Sequence, residues 1–264
     1  MGFCSDDSTN YLKGLGYNVV RLPREDIKPL QLLGVQNNQT LQLGGLDQLV
    51  LPATSPLPAI TPDAKASAVN GQRSSELAAG FGLNVLAAII GGLGGDASVK
   101  AEYKAANSIT FEFADVTGDS IVPLDVGGYL RHARVDSGNK IVEQYVLGNG
   151  RLYLVTRTLK SKKFRVEARD FRGVSVGLDV PVLQQVVGVN VKVSIEATHT
   201  SMVTYEGSTP LVFGFQCLDV GVRDGRLSLE NTAEGAVALA AGKEPPSVIL
   251  DNEGLLELQG PAGR

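Results

Sequence analysis

The sequence has no tryptophan, and only two cysteines, two histidines and two methionines occur among its 264 residues. The two cysteines, Cys4 and Cys217, are too few and too far apart for a disulfide framework, so we expect an intracellular chain. No HExxH motif and no paired CxxC motif is present, which excludes the common zinc sites. The sequence therefore predicts no metal site.

The scarcity of histidine leaves few groups for acid–base catalysis. We interpret His132 and His199 as structural or surface residues rather than as general bases. Two glycine clusters, GFGLNV and GGLGGD, lack the third glycine of a dinucleotide-binding loop and the Lys-Ser/Thr pair of a phosphate-binding loop. We predict no catalytic residue and no cofactor, and an enzyme of unrecognised type is kept only as an alternative.

Basic clusters and long apolar runs are also missing. The 24 Lys and Arg residues are spread along a chain of net charge −4, so nucleic acid is not expected as a partner. The longest apolar run, 81–95, is interrupted by Asn84 and ends in glycines, which is too short and too broken for a spanning helix of about 20 residues. The first twenty residues lack the basic and apolar regions of a secretion signal, so none is expected.

Long alternation of apolar and polar residues is what the chain has instead, in 99–113, 151–171 and 186–200. This period of two predicts β-strands with one apolar face. A strand that spans a membrane needs the same pattern over about 9–11 residues, because one face meets lipid and the other meets water. A soluble sheet with one buried face gives the same pattern, so both interpretations stay open. The candidate membrane-facing residues are Val99, Ala101, Tyr103, Ile109, Phe111, Phe113, Val189, Val191, Val193 and Ile195.

The remaining segments predict one helix, a loop, a turn and further strands. Together with the long strands they predict an α+β fold class in which an antiparallel sheet dominates. A serine cap and apolar residues at helical spacing predict an amphipathic helix over 74–90, which the glycines of 91–95 end. The proline-rich segment 52–75 is predicted to be a loop, and the Asp-Gly pair within 222–227 predicts a hairpin turn. Further strands are expected at 17–22, 124–134, 141–147 and 211–222.

The C-terminal part of the chain differs in composition from the rest. Residues 232–247 are rich in alanine and glycine and contain a Pro-Pro pair, so we predict an exposed linker. The aliphatic residues that follow are costly to leave in water, and we expect them to dock on the preceding domain. They are Val248, Ile249, Leu250, Leu255, Leu256 and Leu258.

Taken in order, these features resemble the bacterial gasdermins over essentially the whole chain. The resemblance lies in the MGFC start, the helix and glycine cluster of 74–95, the long alternating strands, and the short apolar tail after a linker. It implies a twisted antiparallel β-sheet with surrounding helices, like a gasdermin N-terminal domain. Residues 1–240 would be the pore-forming domain, and 241–264 a C-terminal autoinhibitory peptide that makes its contacts through the six aliphatic residues.

The resemblance also implies a mechanism. At rest the protein would be a cytoplasmic monomer, and a protease, caspase-like or other, would cut the linker; Leu239 and Lys243 are the candidate positions. The N-terminal fragment would insert into the inner membrane through hairpins from 74–113 and 151–199, oligomerise, and cause cell death that limits phage spread. A soluble β-rich binding module without membrane activity is the alternative function.

Cys4 has three interpretations from the sequence. N-myristoylation at Gly2 is set aside because Asp6 stands where the motif has Ser or Thr, and a lipoprotein cysteine is set aside because no apolar signal region precedes it. An inert terminal thiol stays open. The family resemblance implies S-palmitoylation of Cys4, with the membrane lipid as the partner after activation.

Overall fold

A computed structural model of the chain describes the structure of most, though not all, of its residues. The described residues are 12–51, 56–66, 108–136, 138–169, 191–195, 202–223, 226–230, 247–250, 256 and 258–259. The strands among them are β1 (Asn18–Arg24), β2 (Gln31–Gln36), β3 (Gln39–Gly45), β4 (Thr61–Lys65), β5 (Ser108–Ala114), β6 (Thr117–Ser120), β7 (Arg151–Arg169), β8 (Val191–Ile195), β9 (Met202–Arg223), β10 (Arg226–Glu230) and β11 (Leu258–Gln259). The helices are α1 (Leu46–Leu49), α2 (Pro123–His132) and α3 (Lys140–Val142), and a π-helical turn (Glu143–Leu147) follows α3.

All of these strands belong to one sheet, built around the long pair β7 and β9. The main path runs β1-β9-β7-β2-β3-β11, and every pairing is antiparallel except that of β11 with β3. The β7–β9 ladder extends from Leu152 opposite Val220 to Glu167 opposite Met202. The long strand predicted over 151–171 is β7, described as far as Arg169, and the strand predicted at 211–222 is part of β9. The predicted α+β class is confirmed.

The first half of β7 is buried on both faces of the sheet. Leu152 and Leu154 belong to one apolar cluster, and Tyr153 and Val155 belong to a second cluster on the opposite face. A strand with two buried faces needs apolar residues at consecutive positions, which explains the run LYLV before alternation begins. Helix α2 packs on the first cluster, and residues from the C-terminal end of the chain pack on the second.

Two segments that were predicted to be strands are helical. The predicted strand at 124–134 is α2, whose buried Val126, Tyr129, Leu130 and Ala133 follow the i, i+3, i+4, i+7 spacing of a helix face. Pro123 starts the helix, where its missing N–H costs nothing. The predicted strand at 141–147 is wrong in the same way. Asn139 caps α3 by accepting from the Ile141 N–H, and Tyr145 is the buried anchor of the turn that follows.

The proline-rich segment 52–75 was predicted to be a loop, but part of it forms β4. This strand pairs with β6, and all five of its residues are exposed. With no buried face it has no apolar alternation, so the sequence gives no strand signal there. The predicted hairpin at 222–227 is confirmed, since Arg223 lies opposite Arg226. The predicted helix at 74–90 lies outside the described residues.

Candidate functional site

The described part of the C-terminal segment, 247–250, 256 and 258–259, is called the tail below, and it begins by filling a gap beside β9. β1 pairs with β9 at 212–215 and β10 pairs with it at 219–223, so Cys217 lies between them. The Cys217 N–H donates to Ser247 Oγ at 2.9 Å, and the Cys217 carbonyl accepts from the Val248 N–H at 2.9 Å and from Ser247 Oγ at 3.2 Å. The tail therefore satisfies backbone groups of β9 that neither β1 nor β10 reaches.

Asn18, at the start of β1, holds the next residues of the tail with both ends of its side-chain amide. Its Nδ2 donates to the Val248 carbonyl at 2.7 Å, and its Oδ1 accepts from the Leu250 N–H at 2.7 Å. Only 1% of Asn18 is exposed, so water cannot replace these partners. A buried amide that loses its partners costs about 1–3 kcal/mol, which makes Asn18 a strong anchor for an extended peptide.

The end of the tail lies between two strands that terminate the main path of the sheet. The Leu256 N–H donates to the Val19 carbonyl at 2.8 Å, and Leu256 bridges Val20 of β1 in parallel. Leu258 then pairs with Thr40 of β3. β1 and β3 stand at opposite ends of the strand order apart from β11, so the tail joins one end of the described sheet to the other.

Apolar contacts accompany these hydrogen bonds. Leu256, 6% exposed, is part of the second apolar cluster, and Val248, Leu250 and Leu258 pack against that cluster. Ile249 is half-buried and is not in the cluster. Four of the six aliphatic residues selected from the sequence are thus on one apolar face, and Leu255 lies outside the described residues. Their inhibitory role stays a prediction.

The Cys217 thiol beneath the tail is not a candidate nucleophile. It is fully buried; burial raises its pKa far above the ordinary value, and the charge of Asp219 acts in the same direction. The thiol accepts weakly from Asn18 Nδ2 at 3.6 Å, and its Sγ lies 3.4 Å from the Val248 carbonyl. A protonated, buried thiol is chemically inert, so Cys217 acts here as an apolar wall of the tail site.

The predicted membrane-facing residues within β5 and β8 are in register across four strands. Phe113 lies opposite Phe164 of β7, which lies opposite Tyr205 of β9 and then Val193 of β8. Residues that oppose one another in an antiparallel ladder share a face, so these four form one apolar row. The next row on that face consists of Phe111, Val166, Val203 and Ile195. The row between them, on the opposite face, is polar and consists of Glu112, Arg165, Thr204 and Ser194.

The other members of this set are only partly described. Ile109 lies opposite Ala168, and Val191 lies opposite Gly207. The predicted single strand over 99–113 is described only from Ser108 onward. The residues Cys4, Val99, Ala101, Tyr103, Val189, Leu239 and Lys243 lie outside the described residues, so their predicted roles stay predictions.

A charge cluster around the buried Lys160 lies where β7 passes from its buried half to its alternating half. Lys160, 8% exposed, places Nζ 2.6 Å from Asp119 Oδ1 and 3.0 Å from Asp63 Oδ1. Burial by itself lowers the pKa of Lys160, but hydrogen bonds and attraction from both aspartates outweigh burial and raise this pKa above its ordinary value. The hydrogen bond and the charge of Lys160 lower the pKa of Asp63. The cluster fastens β4 and β6 to β7 beside shifts in the β7–β9 register.

Sequence reasoning overlooked the polar anchors of the tail site. Asn18 and Ser247 carry no motif, and the only signal is a polar residue at the start of an apolar strand. It also overlooked GVSVG at 173–177, which has the GxSxG spacing of a serine hydrolase and lies outside the described residues.

Over the part of the chain that the structure describes, no group of three or more His, Cys, Asp or Glu residues is arranged to hold a metal. No helix there is long and apolar enough to cross a membrane.

Comparisons with known proteins agree on one family. The model of the bacterial gasdermin family matches residues 20–226. A gasdermin from Vitiosangium sp. (strain GDMCC 1.1324) is 46% identical over 265 aligned positions, which cover 98% of this chain and all of that protein. A gasdermin from a Desulfuromonadales bacterium is 36% identical and covers 92% of each chain.

The fold comparison leads to the same family. The solved structure of a bacterial gasdermin from Bradyrhizobium tropiciagri matches with a TM-score of 0.63 over 97% of this chain and 98% of that one. At 15% identity this likeness establishes the fold, and the family rests on the closer sequences. The predicted resemblance is confirmed: this chain belongs to the bacterial gasdermins, a family of pore-forming proteins rather than of enzymes.

Proposed function

We propose that this chain is an autoinhibited pore-forming protein. Residues 1–240 form the pore, and residues 241–264 hold it inactive in the cytoplasm as a monomer. A protease, caspase-like or other, cuts the linker 232–247, with Leu239 and Lys243 as candidate positions. The released fragment oligomerises in the inner membrane and kills the cell, which limits phage spread.

The observation that carries this proposal is the way the tail is bound. It is held by backbone hydrogen bonds at Cys217 and Val19, by both ends of the Asn18 amide, and by the apolar cluster around Leu256. Each hydrogen bond contributes about 0.5–1.5 kcal/mol and each fully buried aliphatic side chain about 1.5–3 kcal/mol. The covalent linker keeps the tail at a high effective concentration near its site, and a cut removes that advantage.

The register of β5, β7, β9 and β8 supports the membrane phase. A membrane strand pairs all its backbone groups with neighbours and presents an apolar face over about 9–11 residues. β7 and β9, with 19 and 22 residues, are long enough to supply such segments. The aligned apolar rows that begin with Phe113 and Phe111 supply a continuous face.

Palmitoylation of Cys4 is part of the same proposal and rests on the family resemblance. An acyl chain contributes about 0.8 kcal/mol for each CH₂ group that it buries, so a palmitoyl group would favour membrane entry once the tail is gone. The intact mass of protein purified from bacteria tests this step. A mass without an acyl adduct, or a Cys4→Ser variant with undiminished killing, contradicts it.

A liposome-leakage assay tests the main proposal. A recognition sequence for a specific protease replaces part of 232–246 in the full chain, and dye-loaded liposomes report leakage before and after cutting. The uncut protein is expected to be silent and the cut protein to release the dye; a scrambled recognition sequence treated with the same protease is the control. Complete cutting with liposomes that stay sealed even after dilution has released the tail fragment would overturn the proposal and favour the soluble binding module.

A further inference from the structure

We propose that the site that holds 247–259 is a peptide-binding site that accepts this segment as a separate molecule. A cut chain then stays closed until its tail dissociates, and free tail peptide closes it again. The binding rests on geometry alone, whereas its effect on membranes rests on the function proposed above.

The groups that bind the tail need an occupant. The buried Asn18 amide and the N–H and carbonyl of Cys217 all point to the tail, and β1 and β10 pair with β9 on either side of Cys217 without reaching it. Polar groups left unpaired in such a site are costly, so an empty site favours rebinding of a peptide that pairs them.

The site is built on strands whose pairing with one another does not involve the tail. Asn18 lies opposite Phe215 in the β1–β9 ladder, and β3 is paired with β2 along its length. A frame that is already ordered spares an incoming peptide the cost of ordering its receptor. An extended peptide that adds main-chain hydrogen bonds to strands is an established form of peptide recognition.

The contacts of the site also select the sequence of the peptide. A Cβ placed on Gly16 would lie 3.2 Å from Ser247 Cβ, so the site is tight around a small residue at that position. Asn18 makes hydrogen bonds to the backbone carbonyl of residue 248 and the backbone N–H of residue 250, and apolar contacts occur at 248, 250, 256 and 258. The ligand is therefore a peptide of the pattern Ser-Val-x-Leu and, after five intervening residues, Leu-x-Leu.

A competition experiment in solution tests the inference without membranes. The full chain with the inserted protease site is cut, and native mass spectrometry and gel filtration determine whether the tail fragment stays with the body. A fluorescent synthetic peptide of residues 247–259 is then added, and its anisotropy reports exchange into the site. We expect the fragment to co-elute with the body at high concentration, to dissociate on dilution and to exchange with the labelled peptide.

Two chemically modified peptides make the test specific and leave the protein untouched. N-methylation at Leu250 removes the N–H that donates to Asn18 and is expected to weaken competition about tenfold or more. N-methylation at Ile249 is the matched control and is expected to compete like the parent peptide. A cut chain that loses its tail and fails to bind a hundredfold excess of peptide overturns the inference, and so does equal competition by the two modified peptides.

Leakage measured in parallel separates the two proposals. If the cut protein leaks and free peptide binds it, added peptide is expected to suppress leakage in proportion to occupancy. A cut protein that leaks with no binding of peptide contradicts only the exchange. A cut protein that binds peptide but never leaks contradicts only the pore.

Discussion

Replacement of Asn18 by alanine is expected to loosen the tail in the uncut chain. The change removes two hydrogen bonds of 2.7 Å, to the Val248 carbonyl and from the Leu250 N–H. It leaves the Leu250 N–H without its partner and the Val248 carbonyl with only the Cys217 thiol, 3.4 Å away. At about 1–1.5 kcal/mol for each, the closed state loses about 2–3 kcal/mol relative to the open state. The population of the open state therefore rises about 30- to 150-fold.

Amide hydrogen exchange measures this opening directly. The N–H groups of Val248 and Leu256 donate to backbone carbonyls that Asn18→Ala leaves in place, so their exchange accelerates only if the whole tail opens more often. Thr158→Ala is the control, because it removes a part-buried hydrogen bond that Thr158 Oγ1 accepts from the Asp119 N–H and removes no hydrogen bond of the tail. Unchanged exchange at Val248 and Leu256 would refute the role of Asn18. Leu250→Pro removes the N–H that donates to Asn18 and also the apolar contact of Leu250, so it is expected to loosen the tail at least as much with the body unaltered.

Three further predictions address other parts of the molecule. Leu256→Ala is expected to weaken tail docking by about 2–3 kcal/mol because the side chain is buried, whereas Ile249→Ala has a smaller effect; exchange of tail amides compares the two, and equal effects would contradict the assignment. Gly127→Ala is expected to raise the free energy of unfolding by about 0.5–1 kcal/mol in urea melts, since an added Cβ in α2 meets no atom within 4 Å, and a lower midpoint would contradict this. The stability lost in Lys160→Met is expected to shrink at both pH extremes. Because the pKa of Asp63 is lowered, the stability from its pairing is present above its ordinary pKa of 3.8 and is lost as the pH falls below that value. Because the pKa of Lys160 is raised, the stability from its pairing is present below 10.5 and is lost as the pH rises through the raised pKa. A pH-independent difference between the urea melts of variant and parent would contradict the pairing.

The long strands could be predicted because their residues obey a local rule. The second half of β7 alternates between apolar and polar residues, and the hairpin into β10 is marked by its own Asp-Gly pair. Helix α2 was missed because ten residues give few turns from which to recognise a period, and Gly127 and Gly128 weaken the helix signal. β4 was missed because all five of its residues are exposed, so no apolar face marks the strand in the sequence.

The tail was predicted to dock, but its anchors were not. Apolar residues in a short C-terminal segment are costly to leave in water wherever the segment lies. Docking can therefore be predicted without knowing which residues the segment contacts. Asn18 anchors the tail through hydrogen bonds to residues 230 and 232 positions away in the sequence, and its neighbours in the sequence give no sign of these bonds. The aligned rows across β5, β7, β9 and β8 also depend on register, which alternation in single strands does not determine.

The position of the tail against both β1 and β3 has a consequence for how many surfaces it controls. Unpaired backbone groups along the rim of a sheet can pair with a strand of another chain. A subunit with a single uncovered rim binds one neighbour, so its assembly stops at a dimer. Here one peptide shields two different rims, at Val20 and at Thr40. Under the function proposed above, departure of the tail would free both rims, and a subunit with two unlike rims can be joined head to tail without limit.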